Sequence, residues 1–247
     1  MKNHRMNRRS ITVLVLILLT VVLACGLLLQ TDYVKSQLDD FGLTDRYHTT
    51  NRTTVSSWNS CLKKLNIDAD VVFFGDSITT RYDFQAAFPE KKVVNLGLSG
   101  DSILDMIQRV YMIETVSPEK IFLLAGINSL KNETKVEKYY NQYVDLCEKI
   151  REVSPSSDLY IISVLPVSSD HDNRFLGNMR GVNNSFIVKY NTMIHQYADQ
   201  NGFTYVDIYP YYEKDGSLNP DYSEDGLHIT DEAYCFWIDA IREYIND

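Results

Sequence analysis

Five short β-branched runs, at residues 71–74, 93–96, 121–124, 159–164 and 204–208, are apolar at consecutive rather than alternate positions. A strand without a polar face has nothing to offer water, so it must be covered on both sides, as in a parallel sheet. Helical periods lie before, between and after these runs, at 55–65, 103–113, 136–153, 186–197 and 233–245. That alternation predicts an α/β fold, an open five-stranded parallel sheet with helices on both faces. Ligands of such sheets bind outside the carboxyl ends of the strands, so the residues just after each run are the ones to read for chemistry.

Ahead of this pattern, residues 11–29 form an apolar run interrupted only by Thr12, Thr20 and Gly26. As a helix rising ~1.5 Å per residue it would span roughly 28 Å, enough to cross a bilayer. Lys2, Arg5, Arg8 and Arg9 precede it, whereas Lys35 and Arg46 beyond it are mixed with Asp32, Asp39, Asp40 and Asp45. The positive-inside rule then leaves the N-terminus in the cytoplasm and the bulk of the protein outside. The organisation expected is a cytoplasmic basic segment at 1–10, a transmembrane signal anchor at 11–29, a polar tether at 30–53 and a folded domain at 54–247 on the extracytoplasmic side. A signal peptide cut near Ala24-Cys25-Gly26, releasing a secreted domain, is the first alternative, although Leu27, Leu28 and Leu29 would then begin the mature chain. A lipid-modified Cys25 is the second, and Val22-Leu23-Ala24-Cys25 fits it poorly because Leu23 is bulky.

The first 29 residues hold four of the 24 basic side chains and none of the 33 acidic ones, which leaves 20 against 33 and a formal charge of −13 on the rest. That excess argues against a nucleic-acid partner, since neutralising phosphates needs a basic face. A content of 45% hydrophobic and 12% aromatic residues excludes a wholly disordered chain. The roughly 190 residues after the tether suit one domain with one core. Beyond Cys25 there are Cys61, Cys147 and Cys235, an odd number that cannot pair completely. Cys147 shares helical spacing with Tyr140, Val144 and Ile150, and Cys235 lies beside Phe236 and Trp237, so both are expected to be buried apolar thiols. No Cys-x-x-Cys or Cys/His cluster suggests zinc.

The first run leads straight into Gly75-Asp76-Ser77-Ile78-Thr79. A small residue after a buried strand permits a sharp turn, and Ser77 just beyond it could present its hydroxyl at the ligand edge or merely cap the next helix. The second run ends in Asn95-Leu96-Gly97-Leu98-Ser99-Gly100-Asp101-Ser102, and the third in Ala125-Gly126-Ile127-Asn128. Glycines there free backbone N–H groups and Asn128 adds a side-chain donor, the ingredients of an oxyanion hole. Before the last helix, Asp225-Gly226-Leu227-His228 sets a carboxylate three residues ahead of an imidazole, where it can orient the ring and stabilise its cation. Together these residues supply a nucleophile, a base, an orienter and an oxyanion site.

So arranged, the residues resemble the SGNH hydrolases, also called GDSL-type esterases and lipases. The resemblance covers roughly residues 70–232 in four ordered blocks: Gly75-Asp76-Ser77, Ser99-Gly100, Gly126-x-Asn128 and Asp225-x-x-His228. It implies a flavodoxin-like three-layer α/β/α sandwich and ester hydrolysis through an acyl-enzyme, without metal or organic cofactor. It also implies Ser77, His228 and Asp225 as the catalytic residues, with Ser77, Gly100 and Asn128 forming the oxyanion hole. Two positions depart from the family's habit: Ile78 stands where Leu is frequent, and Ser129 where Asp is frequent, which puts in question how the Asn128 loop is held.

Competing residues exist. Gly-Asp-Ser recurs at 100–102, but Ser102 lies further from its strand and better suits a helix N-terminus. Ser99 lacks the Gly-x-Ser-x-Gly spacing of a nucleophile elbow. Asp207 could replace Asp225 as orienter. His171, between Asp170 and Asp172, reads as an exposed acidic cluster rather than a metal site, and His48 and His195 lack catalytic partners. Tyr82, Phe84, Tyr209, Tyr211, Tyr212 and Tyr222 are expected near the sheet edge, where aromatic faces stack on sugar rings or line an acyl pocket. With no long apolar lid segment in the sequence, the preferred substrate is a short acyl group, such as O-acetyl, on a cell-surface glycan. A lipase or lysophospholipase, an acyltransferase on the same site, and a catalytically silent carbohydrate-binding module are the competing readings.

Overall fold

Strands β1 (Val71–Gly75), β2 (Val93–Gly97), β3 (Lys120–Leu124), β4 (Asp158–Ile162) and β5 (Thr204–Val206) form one sheet in the order β2-β1-β3-β4-β5, every pair parallel. The computed structural model describes residues 49–130, 132–168 and 182–247. The strand order is the flavodoxin-like one, in which direction reverses beside β1 and opens a crevice at the carboxyl ends of β1 and β3. All of β1 is buried, whereas β2 is buried only at Leu96 and Gly97 and β5 only at Val206. The expectation of strands covered on both faces therefore fails for β2 and β5, because they are the two edges of the sheet.

Side chains alternate across a strand, so Phe73 and Phe74 serve opposite faces. On one face the register aligns Phe73 with Phe122 and Phe122 with Tyr160. Their rings form a ladder with centroids 5.2 Å and 4.6 Å apart, extended by Phe84 at 3.7 Å and by Tyr244 at 5.2 Å. Helix α9 (Tyr234–Asn246) covers this ladder through Trp237, fully buried and edge-on to Phe73. On the other face the Arg109 guanidinium lies 4.3 Å over the Phe74 ring, which puts α4 (Ile103–Arg109) there, with α6 (Val136–Val153) against it and α7 (Asn184–Asn201) against α6. The three-layer sandwich is thus present. Phe122→Ala is expected to cost about 3–5 kcal/mol, because the ring is enclosed by two others and its loss leaves a cavity. Urea unfolding should show a lower midpoint with an unchanged slope.

Helix α1 runs Thr49–Leu65, so it starts six residues before the expected Val55 and takes in 49–53, the end of the expected tether. Residues Arg52–Asp247 are a compact unit. Short helices follow β1, namely α2 (Ser77–Thr80) and α3 (Phe84–Ala87), and one follows β5, α8 (Tyr209–Tyr212). The expected helix at 103–113 is two, α4 and α5 (Tyr111–Val116). A hairpin of β6 (Glu213–Lys214) and β7 (Ser217–Leu218) comes before the His228 loop. Among the described residues no helix is long and apolar enough to cross a membrane. The apolar run at 11–29, the basic segment before it and residues 30–48 of the tether lie outside the described residues.

Cys147 is buried, but Cys235 is exposed, contrary to expectation, and so is Cys61. The buried residues of α9 are Tyr234, Trp237, Ile238, Ile241 and Ile245, a stripe of helical period from which Cys235 points away. Adjacency to Phe236 and Trp237 was misleading because neighbours in sequence face different directions on a helix.

Candidate active site

The chain turns sharply after β1 because Gly75 has no side chain. A Cβ there would lie 2.1 Å from Thr79 Oγ1 and 2.8 Å from the Leu124 carbonyl oxygen. Asp76 caps α2, its Oδ1 accepting from the Ile78 N–H at 2.9 Å. Ser77 is therefore the first residue of that helix and not its cap, which frees its hydroxyl. That hydroxyl meets His228 Nε2 at 2.8 Å.

His228 is buried on the loop before α9, and its Nδ1 lies 2.6 Å from Asp225 Oδ2. Asp225 Oδ1 accepts the backbone N–H groups of Leu227 at 3.0 Å and His228 at 2.7 Å. Ser223 braces the same loop, accepting from the Gly226 N–H and donating to the His228 carbonyl. Burial works to raise the Asp225 pKa, but the hydrogen bonds from the His228 backbone, its ring and the Leu227 N–H outweigh it and hold the carboxyl below its ordinary value. An ionised Asp225 only accepts, so Nδ1 is the donor of that bond and Nε2 faces the Ser77 hydroxyl.

The donors on the other strand ends are tied to this turn by a chain of hydrogen bonds. The Leu98 N–H donates to the Gly75 carbonyl, the Asp101 N–H to Leu98, and Asn128 Nδ2 to the Asp101 carbonyl at 3.0 Å. Gly100 adopts φ +83°, a left-handed conformation that favours glycine. Ser129 settles the question raised by the missing Asp: its Oγ accepts the Ile103 N–H at 2.9 Å and pins the Asn128 loop to the start of α4.

Sequence reasoning missed Arg109. Its side chain is fully buried, pairs with Asp101, and donates to the carbonyls of Leu96 at 2.6 Å and Gly75 at 2.8 Å. One guanidinium thus joins the ends of β1 and β2 and the loop bearing Gly100. The signal was a charge within the apolar period of Ile103, Met106, Val110 and Ile113.

Asp76 and Asp101 are buried close enough to interact, and burial pushes them up to about 7 and about 6 from 3.8, despite Arg109. Both bind a proton more tightly folded than unfolded, so folding gains from protonation. The contribution is fully present below 3.8 and is lost as pH rises through about 6 and about 7. The slope is roughly 1.4 kcal/mol per pH unit for each proton. Asp225 acts in the opposite sense but only below the ordinary carboxylate range. The melting temperature is therefore expected to be higher at about pH 5 than at about pH 8, and Asp76→Asn should flatten that difference. A melting temperature that climbs from pH 5 to pH 8 would contradict this.

The competing residues are engaged elsewhere. Ser102 caps α4, donating to Asp105 at 2.6 Å in a capping box. Asp207 is exposed and accepts the Tyr209 N–H at 3.2 Å. His195 stacks on Tyr205 at 4.2 Å and lies 3.7 Å from Asp199. His48 and His171 lie outside the described residues. Of the aromatic residues expected at the site, Phe84 and Tyr212 are instead fully buried in the core. Tyr82, stacked at 4.4 Å on Tyr234, and Tyr222 are half-buried, and Tyr211 is exposed.

The Ser77 hydroxyl, the His228 ring and the Asp225 carboxylate thus stand in hydrogen-bonded series, drawn from the turn after β1 and the loop before α9. The model of the GDSL-like lipase/acylhydrolase family matches residues 73–235, and the chain belongs to that family. The chain is 25% identical over 184 residues to an N-acylneuraminate cytidylyltransferase of Streptococcus agalactiae, covering 72% of this chain and 40% of that protein. It thus spans about 40% of the length of the curated relatives it matches. A GDSL-like lipase from Bacteroides thetaiotaomicron has the same fold, with a TM-score of 0.65 at 24% identity over 79% of this chain and 97% of that one. So does a carbohydrate acetylesterase from Sinorhizobium meliloti, with a TM-score of 0.60 at 16% identity over 71% and 97%.

Proposed function

We propose that the chain removes short O-acyl groups, O-acetyl above all, from carbohydrate, with Ser77 as nucleophile, His228 as general base and acid, and Asp225 as orienter. The observation that carries this is the series Ser77 Oγ to His228 Nε2 at 2.8 Å and His228 Nδ1 to Asp225 at 2.6 Å. Ser77 Oγ attacks the acyl carbonyl as its proton passes to Nε2, and Asp225 stabilises the imidazolium. The oxygen that gains charge is met by the N–H groups of Ser77 and Gly100 and by Asn128 Nδ2. His228 returns its proton to the departing sugar oxygen, which leaves as a hydroxyl, and an acyl-enzyme remains. Water then attacks, giving its proton to His228, and Ser77 is restored with release of the acid.

The sugar carrier is supported by the named activity of the Sinorhizobium protein and by polar side chains near the series, Arg81 at 3.8 Å from Asp225 and Asn128 on the loop after β3. The apolar run at 11–29 supports a domain held at the outer side of a membrane, where surface glycans are within reach. Competition among p-nitrophenyl acetate, butyrate and palmitate tests acyl length: kcat/KM should fall as the chain lengthens. Faster turnover of palmitate would make the enzyme a lipase. Asn128→Ala should lower kcat about 10²–10³-fold, on the order of 3–4 kcal/mol, with little change in KM. A rise in KM alone would make Asn128 a ground-state contact.

A further inference from the structure

A cavity of about 620 Å³ opens beside edge strand β5 and the last turns of α9, lined by Tyr205, Asp207, Tyr211, Asp239, Arg242 and Tyr244. A smaller one of about 130 Å³, reached across Tyr205 and Asp207, adds Asn191, Thr192 and Tyr209. None of these side chains takes part in the chemistry above. Tyr211 is half exposed at 51% and stacks parallel to Phe236, with planes 2° apart and centroids 6.3 Å apart. Phe236 in turn lies 5.1 Å from Tyr222, whose carbonyl accepts the Thr230 N–H at 2.9 Å. Tyr222 precedes Asp225 by three residues and Thr230 follows His228 by two. A row of aromatic rings therefore leads from the cavity to the catalytic loop.

Building on the carbohydrate-ester reading, we propose that this cavity and the Tyr211–Phe236–Tyr222 row form a second binding site that holds the chain of a neutral oligosaccharide while one of its esters lies at Ser77. A sugar ring has C–H faces that lie on aromatic rings and a rim of hydroxyls that pair with carboxylates, guanidinium and amide, and this lining offers both kinds of surface. A fatty chain would need an apolar lining. Nucleic acid or an acidic glycan would meet Asp207, Asp239 and Glu243 against Arg242 alone, and Arg242 is already 3.3 Å from Asp239.

The test uses the full chain with Ser77→Ala, so that nothing is hydrolysed, on an array of unacetylated neutral and acidic oligosaccharides of graded length. Binding should grow with length among neutral chains, and adding either Tyr211→Ala or Asp239→Ala, both at exposed positions, should weaken it about tenfold. With Ser77 intact, the same two changes should raise KM for an O-acetylated long chain while leaving kcat, and all turnover of p-nitrophenyl acetate, unchanged. An array with no retained glycan, with acidic chains preferred, or with binding indifferent to both substitutions would overturn the second site and leave the esterase standing. Glycan binding that the substitutions abolish, in an enzyme that cleaves p-nitrophenyl acetate but no acetylated glycan, would keep the second site and overturn the carbohydrate-ester reading.

Discussion

Replacing His228 by Ala is expected to lower kcat on p-nitrophenyl acetate by roughly 10⁴–10⁶-fold, a loss of about 5–8 kcal/mol in transition-state stabilisation. The Ser77 hydroxyl is a weak nucleophile until a base takes its proton, and among the described residues His228 Nε2, at 2.8 Å, is the base in reach. Asp225→Ala should cost less, since the imidazole can still accept a proton, though its preferred tautomer and orientation are lost. KM should change little, because neither group is assigned to ground-state binding. Circular dichroism close to wild type would assign the loss to chemistry. A His228→Ala enzyme within tenfold of wild type would mean that another group serves as base.

Arg109→Met is expected to destabilise the fold by about 3–5 kcal/mol, the cost of leaving a buried charge without its partner. Three acceptors each lose the guanidinium at once, the Asp101 carboxylate and the carbonyls of Leu96 and Gly75, of which Gly75 keeps the Leu98 N–H. Protonation of Asp101, pushed up to about 6, relieves part of the penalty in acid, so the loss should be larger above that pH than below it. Arg109→Lys should recover only part of the stability, because an ammonium cannot reproduce the planar fork that reaches three acceptors. Denaturant unfolding at two pH values measures both effects, and a loss below 1 kcal/mol would show the pairing to be dispensable.

The sheet was legible because buried parallel strands leave a plain mark, and each of the five runs lies within about two residues of its strand. Helix α6 coincides with the expected 136–153 because eighteen residues display several turns of one period. The helices α2, α3 and α8 escaped for the opposite reason: four residues barely complete a turn, so no period exists to read. Thr49, Thr50, Asn51, Thr53 and Thr54 resembled a loop on propensity, yet α1 includes them ahead of buried Val55 and Leu62. The hairpin did carry a signal, Asp215-Gly216, both at positive φ, that was left unused.

At the site, Ser77 was read from the end of the first run and Asp225 and His228 from the loop before the last helix, and the structure brings those three together. The linkage beneath them was not legible. Arg109 and Asp101 are eight residues apart on a helix and a loop, and only the folded backbone shows that one guanidinium reaches two strand ends. Cys235 was misjudged because adjacency in sequence says little about which side of a helix a residue occupies.

Covalent labelling with a fluorophosphonate, read by mass mapping of the modified peptide, decides which hydroxyl attacks. The adduct is expected on Ser77 alone, retained in Ser102→Ala and lost in Ser77→Ala. An adduct on Ser102, or labelling that survives Ser77→Ala, would place the nucleophile elsewhere and contradict the mechanism.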